Sequence, residues 1–68
     1  MPKKVRELKA MLRKAGFTWR PGKGSHTVWE HPLATKAVVL SGNDGRDVRP
    51  YQQDQVERQI AAVRRQQS

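Results

Sequence analysis

The sequence contains no cysteine and no long hydrophobic run, and each absence excludes a class of protein. Without cysteine, a chain of 68 residues forms neither disulfides nor a thiolate zinc site. Packing alone must stabilise a small domain that buries only about 60% of its unfolded surface. No segment reaches the roughly 20 apolar residues of a membrane span, and Met1 to Lys4 leads directly into an amphipathic pattern rather than a signal-peptide core. We therefore expect residues 1–68 to form one soluble, cytoplasmic domain without a membrane partner.

Acidic residues are also scarce. Fourteen Lys and Arg face six Asp and Glu, which leaves a net charge of +8. Residues 1–23 hold eight of the basic residues and one acidic residue, Glu7, so this third of the chain carries +7 of the total. A basic surface that is merely solvated is the plain alternative. The one-sided distribution nevertheless favours a polyanionic partner such as a nucleic acid, because contacts to phosphates dominate the affinity of basic proteins for it.

The spacing of apolar residues predicts the element order α-β-β-β-α. From Val5 to Ala15 they recur at three and four residues, as on one face of a helix, and Gly16 is a typical helix end. Alternation and a continuous apolar run predict three strands, and Pro50 is suited to begin a second helix. The predicted strands are Phe17 to Arg20, Ser25 to His31 and Lys36 to Leu40, and the core stripe of the second helix is Val56, Ile60 and Val63. Strands joined by hairpins form an antiparallel meander, so we expect a single two-layer α+β domain, a three-stranded antiparallel sheet covered by two helices.

Strand alternation leaves the orientation of the second strand open. If Trp29 points into the core, the odd-numbered residues share its face and His26 lies with the even-numbered ones; if Val28 points inward, the two sets exchange. At least two of the three largest aromatic residues near this strand should be buried, because so small a domain has few to spare, and stacking on bases is the less favoured alternative. These three are Phe17, Trp19 and Trp29. Tyr51 is likewise expected to pack on the sheet rather than to donate a proton.

One segment carries a recognisable motif. Gly24-Ser25-His26 is followed, after four residues, by His31-Pro32, and this arrangement resembles the GSH-x4-HP signature of the HicA family of RNA-cleaving toxins. The resemblance extends to Arg6 to Phe17 and to Gly42 to Pro50, so it covers nearly the whole chain. Leu40-Ser41-Gly42 departs from the family, in which a Pro-x-His element often ends the third strand.

This resemblance implies both a fold and a function. The implied fold is similar to the double-stranded-RNA-binding domain. The implied function is that of a type II toxin, an endoribonuclease or mRNA interferase that cleaves mRNA without the ribosome, a metal ion or a cofactor, and that a HicB-like antitoxin neutralises. A non-catalytic RNA-binding module of the same fold is the alternative.

His26 is the candidate catalytic residue. RNA supplies its own nucleophile, the 2′-hydroxyl, so the protein needs to move protons and stabilise charge, and imidazole is suited to both proton transfers. His26 and His31 are five residues apart, an odd separation that points them to opposite faces of one strand. His26 is favoured because it follows a glycine-flanked loop beside Lys23, whereas His31, just before Pro32, is expected to bind backbone. Without the resemblance, an exposed or capping histidine would be the plainer interpretation of His26.

The same loop supplies candidate phosphate-binding residues. Arg20 and Lys23 offer cations, although a loop cation is as often simply solvated. Gly24 offers a backbone N–H group. Ser25 either binds the phosphate or, in the favoured interpretation, supports the turn.

Two further lysines are candidates for RNA binding. Lys3 and Lys4 are predicted in the first turn of the first helix, where the helix dipole disfavours cations, so a ligand phosphate would explain them. The two histidines and the scattered aspartates lack a metal-ligand spacing, and no glycine loop precedes a helix as in nucleotide-binding sites. We therefore expect neither a metal site nor a cofactor.

Overall fold

The computed structural model describes residues 3–67, which form two helices and three strands. The elements are α1 (Val5–Lys14), β1 (Thr18–Pro21), β2 (Thr27–Glu30), β3 (Val38–Leu40) and α2 (Pro50–Gln67). The predicted order α-β-β-β-α and the helix start at Pro50 are confirmed. β1 is shifted by one residue, and β2 is shorter than predicted because hydrogen-bonded turns take up the residues at both of its ends. His26 N–H donates to the Lys23 carbonyl at 2.9 Å, and the His31 carbonyl accepts from Ala34 N–H at 3.0 Å.

Helix α1 is an amphipathic helix with a defined C-terminus. Its buried residues, Val5, Leu8 and Leu12, lie on one face. The helix ends in a Schellman motif, in which Gly16 N–H donates to the carbonyl of Arg13 and Phe17 N–H to that of Leu12, both at 3.0 Å. Gly16 has a φ of 90°, a left-handed conformation that an L side chain would strain, so the predicted helix end at this glycine is confirmed.

The sheet is an antiparallel meander in the order β1-β2-β3. Trp29 lies opposite Trp19 on one side and Val38 on the other. Trp29 and Val38 are fully buried, which settles the orientation left open by the sequence: Trp29 faces the core and Val28 faces away. Alternation defines an inner face of Trp19, Pro21, Thr27, Trp29, Val38 and Leu40 and an outer face of Thr18, Arg20, Val28, Glu30 and Val39.

Both helices pack on the inner face, which confirms the predicted two-layer α+β arrangement. One core cluster joins α1, the inner face and α2. It contains Val5, Leu8, Leu12, Phe17, Trp29, Val38, Leu40, Val48, Val56, Ile60 and Val63. The predicted α2 stripe is therefore confirmed. The outer face stays open to solvent, with Val39 45% exposed. Neither described helix combines the length and the apolar character needed to cross a bilayer.

A buried glutamine of α2 holds the segment between β2 and β3. The side-chain oxygen of Gln59 accepts hydrogen bonds from Thr35 N–H at 2.9 Å, from Thr35 Oγ1 at 3.0 Å and from Lys36 N–H at 3.3 Å. Gln59 is only 4% exposed, so these bonds satisfy a polar group in the core at the same time as they fix the chain ahead of β3.

The aromatic residues divide between core and surface. Phe17 and Trp29 are buried, as at least two of the three large aromatics were predicted to be, and Trp19 is half-exposed. The prediction that Tyr51 packs on the sheet is wrong, since its side chain is 66% exposed. Tyr51 lies in the first turn of α2 beside the buried stripe that begins at Gln52 and Val56, and the helix turns it away from the core.

Candidate functional site

The β1–β2 turn, residues 22–26, carries the candidate catalytic residue. Gly22 N–H donates to the His26 carbonyl and His26 N–H donates to the Lys23 carbonyl, both at 2.9 Å. Gly24 has a φ of +58°, and a Cβ added there would meet nothing within 4 Å. All five residues of the turn are exposed. The turn is thus closed by its own backbone while its side chains face solvent, which leaves room for a ligand.

Gly22 lies close to both His26 and the outer face of the sheet. A Cβ on Gly22 would lie 3.4 Å from His26 Cβ and 3.4 Å from Val28 Cγ2, a close van der Waals contact with both. The same small residue therefore lies against His26 and against an outer-face side chain. His26 belongs with the outer face, as alternation from the inward Trp29 requires.

Arg20 is on the outer face and is partly neutralised there. Its Nε lies 3.1 Å from Glu30 Oε1, and both side chains are more than half exposed. Because Arg20 is paired with Val28, it lies two residues, or about 7 Å, along the sheet from His26. Glu30 is four residues from His26 on the same face, about 13 Å away, too far to serve the same reacting atom. Sequence reasoning missed the Arg20–Glu30 pair, for which only the strand register gives a signal.

Lys23 and Ser25 are exposed within the turn and stand next to His26 in the chain. Within residues 3–67, the side chains of Lys23, Ser25 and His26 form no hydrogen bond or ion pair with another side chain. The turn is held by the backbone hydrogen bonds already given. The turn therefore brings Lys23, Gly24, Ser25 and His26 together in one solvent-facing segment. Arg20 lies immediately beside it.

Lys3 and Lys4 are held differently. Both precede α1 rather than lying in its first turn, because the helix begins at Val5. The Lys4 ammonium pairs with Asp47, and the Lys3 carbonyl accepts from Val48 N–H at 2.8 Å. The ion pair with Asp47 therefore explains the presence of Lys4 without an RNA phosphate.

The two groups of predicted residues share one end of the domain. Thr27 lies opposite Leu40, so the β1–β2 turn and the loop that follows β3 leave the sheet at the same end. Lys3 and Lys4 bond to that loop, and they contribute their charge at this end without being part of the turn.

His31 has the structural role predicted for it. Its Nδ1 accepts a hydrogen bond from Leu33 N–H at 3.0 Å, and its ring packs against Phe17 with the ring centroids 5.2 Å apart. Its Nε2 would lie 3.5 Å from a Cβ on Gly16. His31 is therefore fixed at the far end of β2, among inner-face residues, and does not share a site with His26.

A further surface ion pair joins the loop after β3 to α1. Asp44 binds the Lys9 ammonium at 2.6 Å, and this hydrogen bond, followed by the charge of Lys9, holds the pKa of Asp44 below its ordinary value. Within residues 3–67, no group of three His, Asp or Glu side chains is arranged to hold a metal ion.

A family description matches most of the chain. Residues 5–61 match the model of a family described as the HicA toxin of bacterial toxin–antitoxin systems. No curated protein and no solved structure gives a significant match. The matched region runs from the first residue of α1 through all three strands and into the second half of α2, so it includes the β1–β2 turn and both histidines. With this match over well more than half of its length, the chain belongs to the HicA toxin family and is a toxin of a toxin–antitoxin system.

Proposed function

We propose that this toxin is a metal-independent endoribonuclease that cleaves mRNA with His26 as its single catalytic histidine. The observation that carries the proposal is the solvent-facing β1–β2 turn, which presents an exposed imidazole in the same segment as the exposed Lys23. His31, by contrast, has a structural role, because its Nδ1 accepts a hydrogen bond and its ring packs against Phe17.

Cleavage of RNA requires few catalytic groups from the protein. The 2′-hydroxyl of RNA attacks the adjacent phosphorus, and the His26 imidazole accepts its proton. The bond from phosphorus to the 5′-oxygen breaks, the leaving oxygen takes a proton from solvent, and the products carry a 2′,3′-cyclic phosphate and a 5′-hydroxyl. Because the nucleophile belongs to the substrate, the reaction does not depend on a metal-bound hydroxide.

The residues around His26 have binding roles in this proposal. Lys23 and the backbone N–H groups at Gly24 and Ser25 contact the phosphate that is attacked, and Arg20 contacts a neighbouring phosphate. Glu30 orients the Arg20 guanidinium along the outer face. Lys3 and Lys4 add positive charge at the same end and bind RNA less directly, since Asp47 already offsets Lys4.

The partner follows from the class of the protein. A toxin of a toxin–antitoxin system has an antitoxin, and we propose a HicB-like protein in that role, with the cytoplasm as the place where toxin, antitoxin and mRNA meet. Residues 1–68 act as one domain in this proposal.

Cleavage of a long mRNA in the presence of EDTA tests the proposal. We expect fragments with the parent protein and a loss of rate of at least about a hundredfold with His26→Ala, the effect of removing a general base. His31→Asn is the matched control, because an amide oxygen can replace Nδ1 as the acceptor for Leu33 N–H while the imidazole is lost. It should cleave like the parent protein. Intact RNA with the parent protein, at concentrations where it binds RNA, would instead identify a non-catalytic RNA-binding module.

A further inference from the structure

Trp19 is an exposed aromatic residue in a domain that has few. The chain has two tryptophans, one phenylalanine and one tyrosine. Trp29 is fully buried, whereas its cross-strand partner Trp19 is 50% exposed. Both lie on the inner face, but β1 is one of the two edge strands of the sheet and all four of its residues are exposed. A large apolar side chain is thus left half in water next to a core that is short of such residues.

The Trp19 ring contacts Trp29 and is half exposed. Its centroid lies 6.1 Å from that of Trp29, with 31° between the ring planes. Trp29 is itself fixed, because its Nε1–H donates to Thr27 Oγ1 at 2.9 Å. The Trp19 ring therefore packs at a tilt against an indole that is itself held by a hydrogen bond. Because the Trp19 ring already packs against Trp29, stacking of a base on it costs little side-chain conformational entropy.

Basic residues lie near the two tryptophans. The Arg13 guanidinium lies 5.6 Å from the centroid of the Trp29 ring, and Lys14 follows it as an exposed residue at the end of α1. Arg20 is the next residue after Trp19 along β1. An aromatic ring among cations is the combination that binds unpaired nucleic acid, since bases stack on the ring while phosphates meet the charges.

We propose that Trp19 is a stacking site for an unpaired RNA base, so that the substrate is single-stranded where it crosses β1. This inference rests on the proposed function, because it names the form of RNA that the nuclease site receives. Trp19 is level with Trp29, three residues or about 10 Å along the sheet from His26, but the two lie on opposite faces of the sheet. A stretch of unpaired RNA that reaches both must therefore pass around the edge of the sheet at β1. Bases within a duplex are already stacked and cannot occupy the site.

Binding measurements with the full chain carrying His26→Ala test the stacking site without any need for cleavage. The probes are a short unpaired oligoadenylate and a blunt-ended RNA duplex. Trp19→Ala should weaken binding of the oligoadenylate about tenfold, the effect of losing one base–aromatic stack, and leave binding of the duplex unchanged. Trp19→Phe should restore most of the affinity, because it keeps a ring. Oligoadenylate should also quench tryptophan fluorescence in the His26→Ala parent, since Trp19 is the exposed one of the two tryptophans.

Tyr51→Ala is the matched control, because Tyr51 is also an exposed aromatic but lies at the start of α2. It should bind both probes like its parent. Equal binding of oligoadenylate with and without Trp19 would overturn the stacking site, as would a Trp19→Ala variant that keeps its RNA affinity but no longer binds the antitoxin. Since the readout is binding by a cleavage-deficient protein, failure of the nuclease proposal would appear separately, as intact RNA with the parent enzyme.

Discussion

The β1–β2 turn and the loop of residues 41–49 look alike in sequence but are held in different ways. Both are polar, glycine-containing segments at the same end of the sheet. The loop is tied to α1: Val5 N–H donates to the Arg46 carbonyl at 2.9 Å, and Arg6 N–H donates to the Asp44 carbonyl at 3.0 Å. These bonds supply partners for helix N–H groups that have none within the helix. The turn is closed only on itself, by the two backbone bonds within residues 22–26.

This difference separates a structural segment from a segment available for chemistry. In the loop, side chains make further ties, from Asp44 to Lys9 and from Asp47 to Lys4, and Val48 is buried in the core. In the turn, the side chains remain in solvent. Polar residues that already bind each other are less available to a ligand, which is why the proposed RNA contacts lie in the turn and not in the loop.

The largest expected effect on folding comes from the loop glycine. Gly42 has a φ of +94°, and an added Cβ would lie 2.7 Å from Arg46 Cδ. Gly42→Ala should therefore lower the free energy of unfolding by about 2 kcal/mol, because the strained backbone and the displaced Arg46 act together. Gly24→Ala, with open space around the added Cβ, should lower it by about 1 kcal/mol. Urea unfolding of both variants measures this, and equal losses would remove the contrast between the two segments.

A moderate effect is expected on RNA affinity. Lys23→Ala should reduce the slope of log affinity against log salt concentration by about 1, as expected when one phosphate contact is lost. Lys4→Ala should change the slope less, because the Lys4 charge is already offset by Asp47. Titrations at several salt concentrations, with the His26→Ala protein as the common background, give both slopes. A larger change for Lys4 would show that the loop end contacts RNA more closely than the turn.

The smallest effect is a dependence of stability on pH that belongs to the loop. Since Lys9 holds the pKa of Asp44 below its ordinary value, the folded protein keeps this carboxylate ionised where the unfolded chain begins to protonate it. The stabilisation is present above the unfolded aspartate pKa of about 3.9 and is lost as the pH falls through the lower, folded value.

Lys9→Met tests the assignment of this acid dependence. Thermal unfolding followed from neutral pH to below the unfolded aspartate pKa of about 3.9 should show a shallower loss of stability for the variant than for the parent. If the stability of the variant and of the parent fell equally with pH, Lys9 would not be the cause of the lowered pKa of Asp44. The turn lacks a comparable carboxylate pair, so Lys23→Met should leave the acid limb unchanged.

The architecture could be predicted because its signals are local. The helical spacing from Val5 to Ala15, the glycine at position 16 and the proline at position 50 mark elements through backbone sterics and burial, and the structure has them in place. The separation of His26 and His31 also followed from strand alternation alone. Their different surroundings agree with it.

The features that could not be predicted depend on long-range packing. Alternation allowed either face of β2 to be buried, and only the neighbouring strands decide for Trp29. Trp19 lies on β1, whose residues are all exposed, whereas Val38 on the other edge strand, β3, is buried. The exposure of Tyr51 results from the rotation of α2. The pairing of Lys4 with Asp47 joins residues 43 apart in sequence, so no pattern within a single element indicates it.

The buried Gln59 has a consequence for how the protein folds. β3 has three residues, and the chain that leads into it is held by a side chain of α2 more than twenty residues later. An isolated meander of such short strands has little stability of its own in water. The third strand and the last helix should therefore form in one cooperative step, and hydrogen exchange should protect their backbone amides to the same degree.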